Sequence, residues 1–154
     1  VFTNSLRIGT LFGFPIKIDP SWFLVAALIA RSLAAGYFPQ AYPGLSARIY
    51  RIMGLIGMLG LFASVLLHEL GHALVARRHG LEMGGITLFI FGGVAEMNAH
   101  PESPKAEFRV AAGGPAATVV LALLFAFLSL KMELEEDPDP PPSTGETQPL
   151  QRTP

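Results

Sequence analysis

Apolar residues run along this chain in long blocks rather than in alternation. No residue is charged between Asp19 and Arg31, nor between Arg51 and His68. The apolar run resumes after Glu69 and continues to Arg77, and 21 uncharged residues separate Arg109 from Lys131. A bilayer core about 30 Å thick takes about 20 apolar residues in a helix. Val110 to Leu130 meets that length directly. Ile52 to Ala76 spans 25 residues and is broken only by His68, Glu69 and His72. At a rise of about 1.5 Å per residue it reaches roughly 38 Å. Ser21 to about Phe38 is shorter and contains Arg31. It begins late for a secretory leader and shows no clear small-residue cleavage site. It is therefore read as a membrane helix whose arginine snorkels or finds a polar partner. Trp22 at one end, and Tyr37, Phe38 and Tyr42 at the other, suit interfacial aromatic belts. The pattern predicts three transmembrane helices, near 21–38, 52–78 and 108–131.

Shorter stretches carry a β pattern. Leu6 to Asp19 reads as a hairpin turning at Gly13, after which Pro20 opens the first helix. Ile86 to Phe91 is β-branched and aromatic. Gly92-Gly93 can turn, and Val94 to Met97 can return as a second strand. Asn98 to Glu107 is polar, holds Pro101 and Pro104, and reads as a loop. From Lys131 onward the chain has six Pro and six acidic residues among 24. That composition cannot bury enough apolar area to offset chain entropy. The fold class expected is an all-α membrane protein: about three transmembrane helices, short β-hairpins (6–18 and 84–97) at the membrane surface, and a disordered tail. The core is expected over 1–132 and the Pro/acidic tail over 133–154.

Composition narrows the function. Hydrophobic residues make up 51% and charged residues 15%, against about 25% charged in ordinary soluble chains. A net charge of −1 leaves no basic excess for phosphates, so nucleic acid is excluded as a partner. The absence of Cys excludes disulfides and thiolate metal sites, so any metal is held by His and carboxylate. Arg7, Lys17, Arg77, Arg78, Lys105 and Arg109 outnumber the basic residues of the loop before the second helix, Arg48 and Arg51. That bias places the N-terminus and the 77–109 loop in the cytoplasm.

The chemistry concentrates in His68-Glu69-Leu70-Gly71-His72. Four residues apart on a helix, His68 and His72 project from one face. Their ring nitrogens can both reach one Zn²⁺ at about 2.0–2.1 Å. Glu69, one residue on, can take a proton from a metal-bound water and pass one to a leaving amine. Taken alone the pentapeptide also fits two helix histidines without metal. Inside an apolar 25-residue run the metal reading gains, because ionisable groups in a membrane helix are costly and functional by default. If Arg77 marks the membrane surface, His72 lies about 8 Å and His68 about 14 Å inside, from the helical rise. His79, beside Arg77 and Arg78, reads as interfacial, and His100 as a loop residue.

These residues, with Ala63 to Ala73 around them, Ile86 to Ala95 with Phe91-Gly92-Gly93-Val94-Ala95, and Ala111 to Ala116 with Gly113-Gly114-Pro115, resemble the site-2 protease family of intramembrane zinc metalloproteases, in its bacterial and archaeal branch. The resemblance covers roughly residues 5–130. It implies that His68 and His72 are zinc ligands, that Glu69 is catalytic, and that the Gly92-Gly93 region is a membrane-associated sheet near the active site. Phe91, Gly92, Gly93 and Val94 are then candidate substrate contacts. The implied cofactor is Zn²⁺, the implied partners are a membrane-spanning protein substrate and the lipid bilayer, and the implied location is a prokaryotic cell membrane, multi-pass, with the site near the cytoplasmic face. The family's third ligand is an Asp in a later Pro-containing segment ending Asp-Gly. This chain has no such segment, and the tail's Asp137 and Asp139 are not assigned that role. Thr118 stands near where family members often carry Asn. The chain is therefore expected to be the N-terminal part of a catalytic core.

The function expected is hydrolysis of peptide bonds in transmembrane segments by zinc-activated water. The alternative is a catalytically incompetent membrane pseudoprotease fragment lacking the third ligand. A soluble metallopeptidase recruiting Glu96 or His100 is disfavoured by the apolar flanks. The Gly113-Gly114-Pro115 run is expected to loosen the third helix or only to kink it. Glycines 54, 57, 60 and 71 are expected to permit close helix packing. The edge of the Ile86–Phe91 strand is expected either to accept an unwound substrate as an added strand or to be purely structural.

Overall fold

The computed structural model describes residues 5–98 and 103–135. His100, Asp137, Asp139 and most of the expected tail lie outside them. Strands β1 (Leu6–Leu11) and β2 (Phe14–Ile18) lead into α1 (Ser21–Ser32). A π-helical stretch Leu33–Tyr37 and the short α2 (Phe38–Ala41) follow. Next come α3 (Ala47–Arg78), β3 (Met83–Phe89), β4 (Gly92–Met97) and α4 (Pro104–Glu135). Three stretches are long and apolar enough to cross a membrane: Ser21–Ala41, Ala47–Arg78 and Pro104–Glu135. Leu55, Ile56 and Leu59 of α3 are each at least half exposed, a lipid-facing pattern rather than that of a water-soluble bundle.

The helix ends follow local chemistry. Asp19 Oδ1 accepts hydrogen bonds from Ser21 N–H and Ser21 Oγ at 2.9 and 2.6 Å. These bonds start α1 and hold the Asp19 carboxyl below its usual range. The widened π turn precedes Pro39, which has no N–H to donate back along the helix. Ser46 caps α3 by accepting from Ile49 N–H at 3.4 Å. At the other end Gly80, at φ +75°, lets Leu81 N–H bond back to the Ala76 carbonyl.

The two expected hairpins are not separate. They join into one four-stranded sheet, ordered β1-β2-β3-β4, in which β2 and β3 run parallel. Parallel strands need a long crossover, and here the crossover is the helical segment from α1 to α3. The fold is mostly helical with a real sheet, more than the all-α class expected. The second hairpin turns at Ile90-Phe91, and Gly92-Gly93 instead open β4. The 98–107 loop is shorter than expected, since α4 begins at Pro104 and runs to Glu135, into the expected tail.

One sheet face packs on α3. Phe14, Ile16 and Ile86 bury against Leu70 and Ala73, with Ala95 beside them. The other face carries a polar bridge. Lys17 Nζ and Thr87 Oγ1 donate to the two oxygens of Glu96, each at 2.9 Å. The hydrogen bond from Lys17 lowers the Glu96 carboxyl below its usual range; partial burial opposes this and Thr87 adds to it. Arg77 Nη1 donates to the Phe12 carbonyl at 2.6 Å, and its guanidinium lies 4.5 Å from the centre of the Phe14 ring. It thereby pins the β1–β2 turn, where Phe12 and Gly13 both take positive φ. Met58 and Phe62 of α3 pack on Ala26 of α1. The chain divides into two units, Val1–Ala122 and Leu123–Pro154. The described part of the second continues α4 and holds a Lys131–Glu135 pair at 3.6 Å.

Candidate metal centre

His68 and His72 lie one turn apart on α3, with their Nε2 atoms 3.2 Å from each other. Each imidazole is held through its other nitrogen. His72 Nδ1 lies 2.7 Å from the Val110 carbonyl, which can only accept, and 3.3 Å from Gly114 N–H, which can only donate; the shorter contact favours the proton on Nδ1. His68 Nδ1 lies 2.8 Å from Thr118 Oγ1. The Thr118 hydroxyl donates to the Gly114 carbonyl at 3.3 Å, so its oxygen accepts from His68 Nδ1–H. In that pair of tautomers both Nε2 atoms carry lone pairs that face one another. Two such lone pairs repel unless a cation lies between them. Two nitrogens each about 2.0–2.1 Å from one tetrahedral zinc stand roughly 3.3 Å apart. Tautomer, orientation and spacing all fit a metal ion.

Glycines on α4 make this possible. α3 and α4 cross at Gly71 and Gly113, where a side chain on Gly113 would fall 2.6 Å from the Gly71 carbonyl oxygen. That crossing brings Val110, Gly114 and Thr118 up to the two imidazoles. A Cβ on Gly114 would lie 2.6 Å from His68 Nε2 and closer still to His72 Nε2. The missing side chain thus leaves open the space that both lone pairs face. α4 stays a single helix through Pro115. Gly54 and Gly57 also serve close packing, against Ala30 and Leu33, whereas Gly60 faces open space.

Glu69 turns toward the sheet. Its Oε2 accepts from Ala95 N–H at 3.1 Å. Gly93 permits this approach, because a Cβ there would sit 2.6 Å from Glu69 Cγ. Glu69 and His72 line one cavity of about 380 Å³ with Val94, Met97, Glu107 and Val110. Val94 thus faces the cavity, Phe91 stands exposed at the β3–β4 turn, and Gly92 starts β4 at φ +128°. The Ile86–Phe91 strand has no free edge, since β3 is paired on one side by β2 and on the other by β4. Within this sheet the edge beside Glu69 belongs to β4.

Other expectations resolve by position. Glu96 is committed to Lys17 and Thr87 on the far sheet face and does not join the histidines. His79 ends α3 and is exposed. Among the described residues no group of three His, Cys, Asp or Glu is placed to hold a metal ion. Sequence reasoning noted Thr118 only as standing in place of Asn, and missed its bond to His68. Glu107, expected at the end of a loop, instead lies in the first turn of α4 and lines the cavity.

The sequence profile of peptidase family M50 matches residues 56–148. A Synechocystis sp. protein named as a zinc metalloprotease is 47% identical over 120 residues, 78% of this chain and 31% of that protein. The Mycobacterium tuberculosis protein Rip3, also named as a zinc metalloprotease, is 37% identical over 122 residues, 79% of this chain and 31% of Rip3. Among solved structures, the site-2 protease from Methanocaldococcus jannaschii superposes with a TM-score of 0.60 at 27% identity, over 82% of this chain and 52% of that one. The chain spans about a third of the length of these curated relatives. With its membrane-capable helices and its profile match over more than half its length, the chain belongs to peptidase family M50, the site-2 protease family of membrane zinc metalloproteases.

Proposed function

We propose that this chain forms the zinc-binding part of an intramembrane endopeptidase that hydrolyses peptide bonds in membrane-spanning protein substrates. The observation that carries the reading is the pair of Nε2 atoms 3.2 Å apart, on imidazoles held through Nδ1 by Val110 and Thr118. His68 and His72 would hold Zn²⁺, with a further ligand from outside the described residues. Bound there, the ion supplies Lewis acidity for the scissile carbonyl and lowers the pKa of a water molecule. Glu69 is the general base and then the acid, since it lines the same cavity as His72 and is steadied by Ala95 N–H. A peptide bond within a helix is occupied by its own hydrogen bonds, so the substrate must unwind. β4, with Gly92, Gly93 and Val94, gives the unwound segment an edge beside Glu69, and Phe91 an apolar contact at its end. The Lys/Arg bias puts the site toward the cytoplasmic face of a cell membrane.

The test pairs metal analysis with cleavage. Wild-type protein purified without chelator holds about one zinc per chain. His68→Ala and His72→Ala lose it, and Glu69→Gln keeps it. Wild type cuts a model transmembrane substrate and Glu69→Gln cuts it at least about 100-fold more slowly, as removal of a general base implies. Equal cleavage by the two forms refutes the mechanism. Stoichiometric zinc without cleavage by wild type establishes the pseudoprotease alternative instead.

A further inference from the structure

A second cavity, of about 700 Å³, opens between α1, α2 and the start of α3. Its walls are apolar at Ala30, Ala34 and Leu55, but Arg31 and Arg51 both line it. From Arg51 to His68 is 17 residues along α3, about 26 Å at the helical rise, so this site is separate from the metal centre. Arg31 follows Ala30, which meets Gly54 three residues past Arg51, so both arginines lie toward the same end of α3. From residue 20 to residue 68 the chain has no Asp or Glu, and its only charges are Arg31, Arg48 and Arg51. Among the described residues the ion pairs are Lys17–Glu96 and Lys131–Glu135, so neither cavity arginine is neutralised. Tyr50 gives its hydroxyl to the α2–α3 connection, donating to the Tyr42 carbonyl at 2.7 Å and accepting from Leu45 N–H at 3.0 Å. Arg51 donates its Nε to the Ala47 carbonyl at 3.3 Å, which leaves its two terminal nitrogens and the Arg31 guanidinium to face a ligand. At Gly54 the two helices close up, since a Cβ there would fall 2.5 Å from the Ala30 carbonyl oxygen.

We propose that this cavity is a binding site for an anionic phospholipid. The phosphate sits on the Arg31 and Arg51 guanidiniums, whose planar forks match phosphate oxygens, and an acyl chain lies against Ala30, Ala34 and Leu55. Free phosphate would satisfy the arginines and leave the apolar walls bare. A zwitterionic lipid would bring an ammonium group to a region with no carboxylate and a third arginine nearby.

Native mass spectrometry of the full chain in mild detergent tests this, with phosphatidylglycerol titrated against phosphatidylcholine of identical acyl chains. The expected result is one retained phosphatidylglycerol, bound at least about tenfold more tightly than phosphatidylcholine and not displaced by millimolar inorganic phosphate. Arg31→Gln with Arg51→Gln brings the two lipids to equal affinity, and Arg7→Gln changes nothing. Equal affinity in wild type, a preference that survives the double substitution, or displacement by inorganic phosphate each overturns the proposal. Circular dichroism checks that the double variant keeps its helices. If it does not, the wild-type lipid comparison and the phosphate competition decide.

Discussion

Replacing Gly114 by Ala sets two physical effects against each other. In a helix interior, Gly→Ala stabilises by about 1 kcal/mol through backbone entropy. At this position the new methyl would lie 2.6 Å from His68 Nε2, where ordinary contact begins at 3.4 Å, and closer still to His72 Nε2. Something must therefore yield by about 0.8 Å or more. α4 cannot simply retreat, because Gly113 is seated on the Gly71 backbone and the Val110 carbonyl is bonded to His72. If the imidazoles swing away, they lose the Val110 and Thr118 bonds that orient them. Metal–ligand distances tolerate only about 0.2 Å, and loss of orienting partners costs about 10–100-fold in metal affinity. Gly114→Ala is therefore expected to lose at least about 100-fold in zinc affinity while its helix content holds or rises. Gly60→Ala, where a Cβ meets nothing within 4 Å, should leave zinc affinity unchanged. Competition with a chromogenic chelator reads the first quantity and circular dichroism the second. Wild-type zinc affinity in Gly114→Ala would refute the placement of the metal between these nitrogens.

Two further outcomes follow from the hydrogen bonds. Thr118→Val removes the acceptor for His68 Nδ1–H and should weaken zinc binding about 10–100-fold, with Thr118→Ser restoring most of it; the same chelator competition checks both. Glu96 has a lowered carboxyl in the folded protein, so its contribution to stability is present above the ordinary carboxylate range and lost as pH falls through the folded value. Protection of the β4 amides, measured by hydrogen exchange and corrected for the intrinsic rate at each pH, should fall on acidification across that window in wild type and show no such step in Glu96→Gln.

Much of the site was written locally and much of the sheet was not. The spacing of His68 and His72 places them on one helical face whatever surrounds them. The charge-free runs likewise mark the three long helices, because lipid demands that length. The β2–β3 pairing was invisible for a physical reason: Ile16 meets Ile86 across 70 residues, and nothing in either strand's alternation names its partner. For the same reason the Ile86–Phe91 strand was expected to have an edge that β2 and β4 in fact cover. The turn falls at Ile90-Phe91, and Gly93 instead packs against Glu69. Thr118 and Val110 act on the histidines only through the α3–α4 crossing, a tertiary fact that residue types do not encode.

The parallel register of Ile16–Ile18 against Ile86–Leu88 has a consequence for how the chain threads the bilayer. Strands that share a ladder must share a leaflet, so the polypeptide between them makes an even number of passes. The two helices it contains satisfy that parity, and neither can insert alone without tearing the ladder. Reporter tags at residues 19 and 82 should therefore always label together, from whichever side of the membrane they are reached.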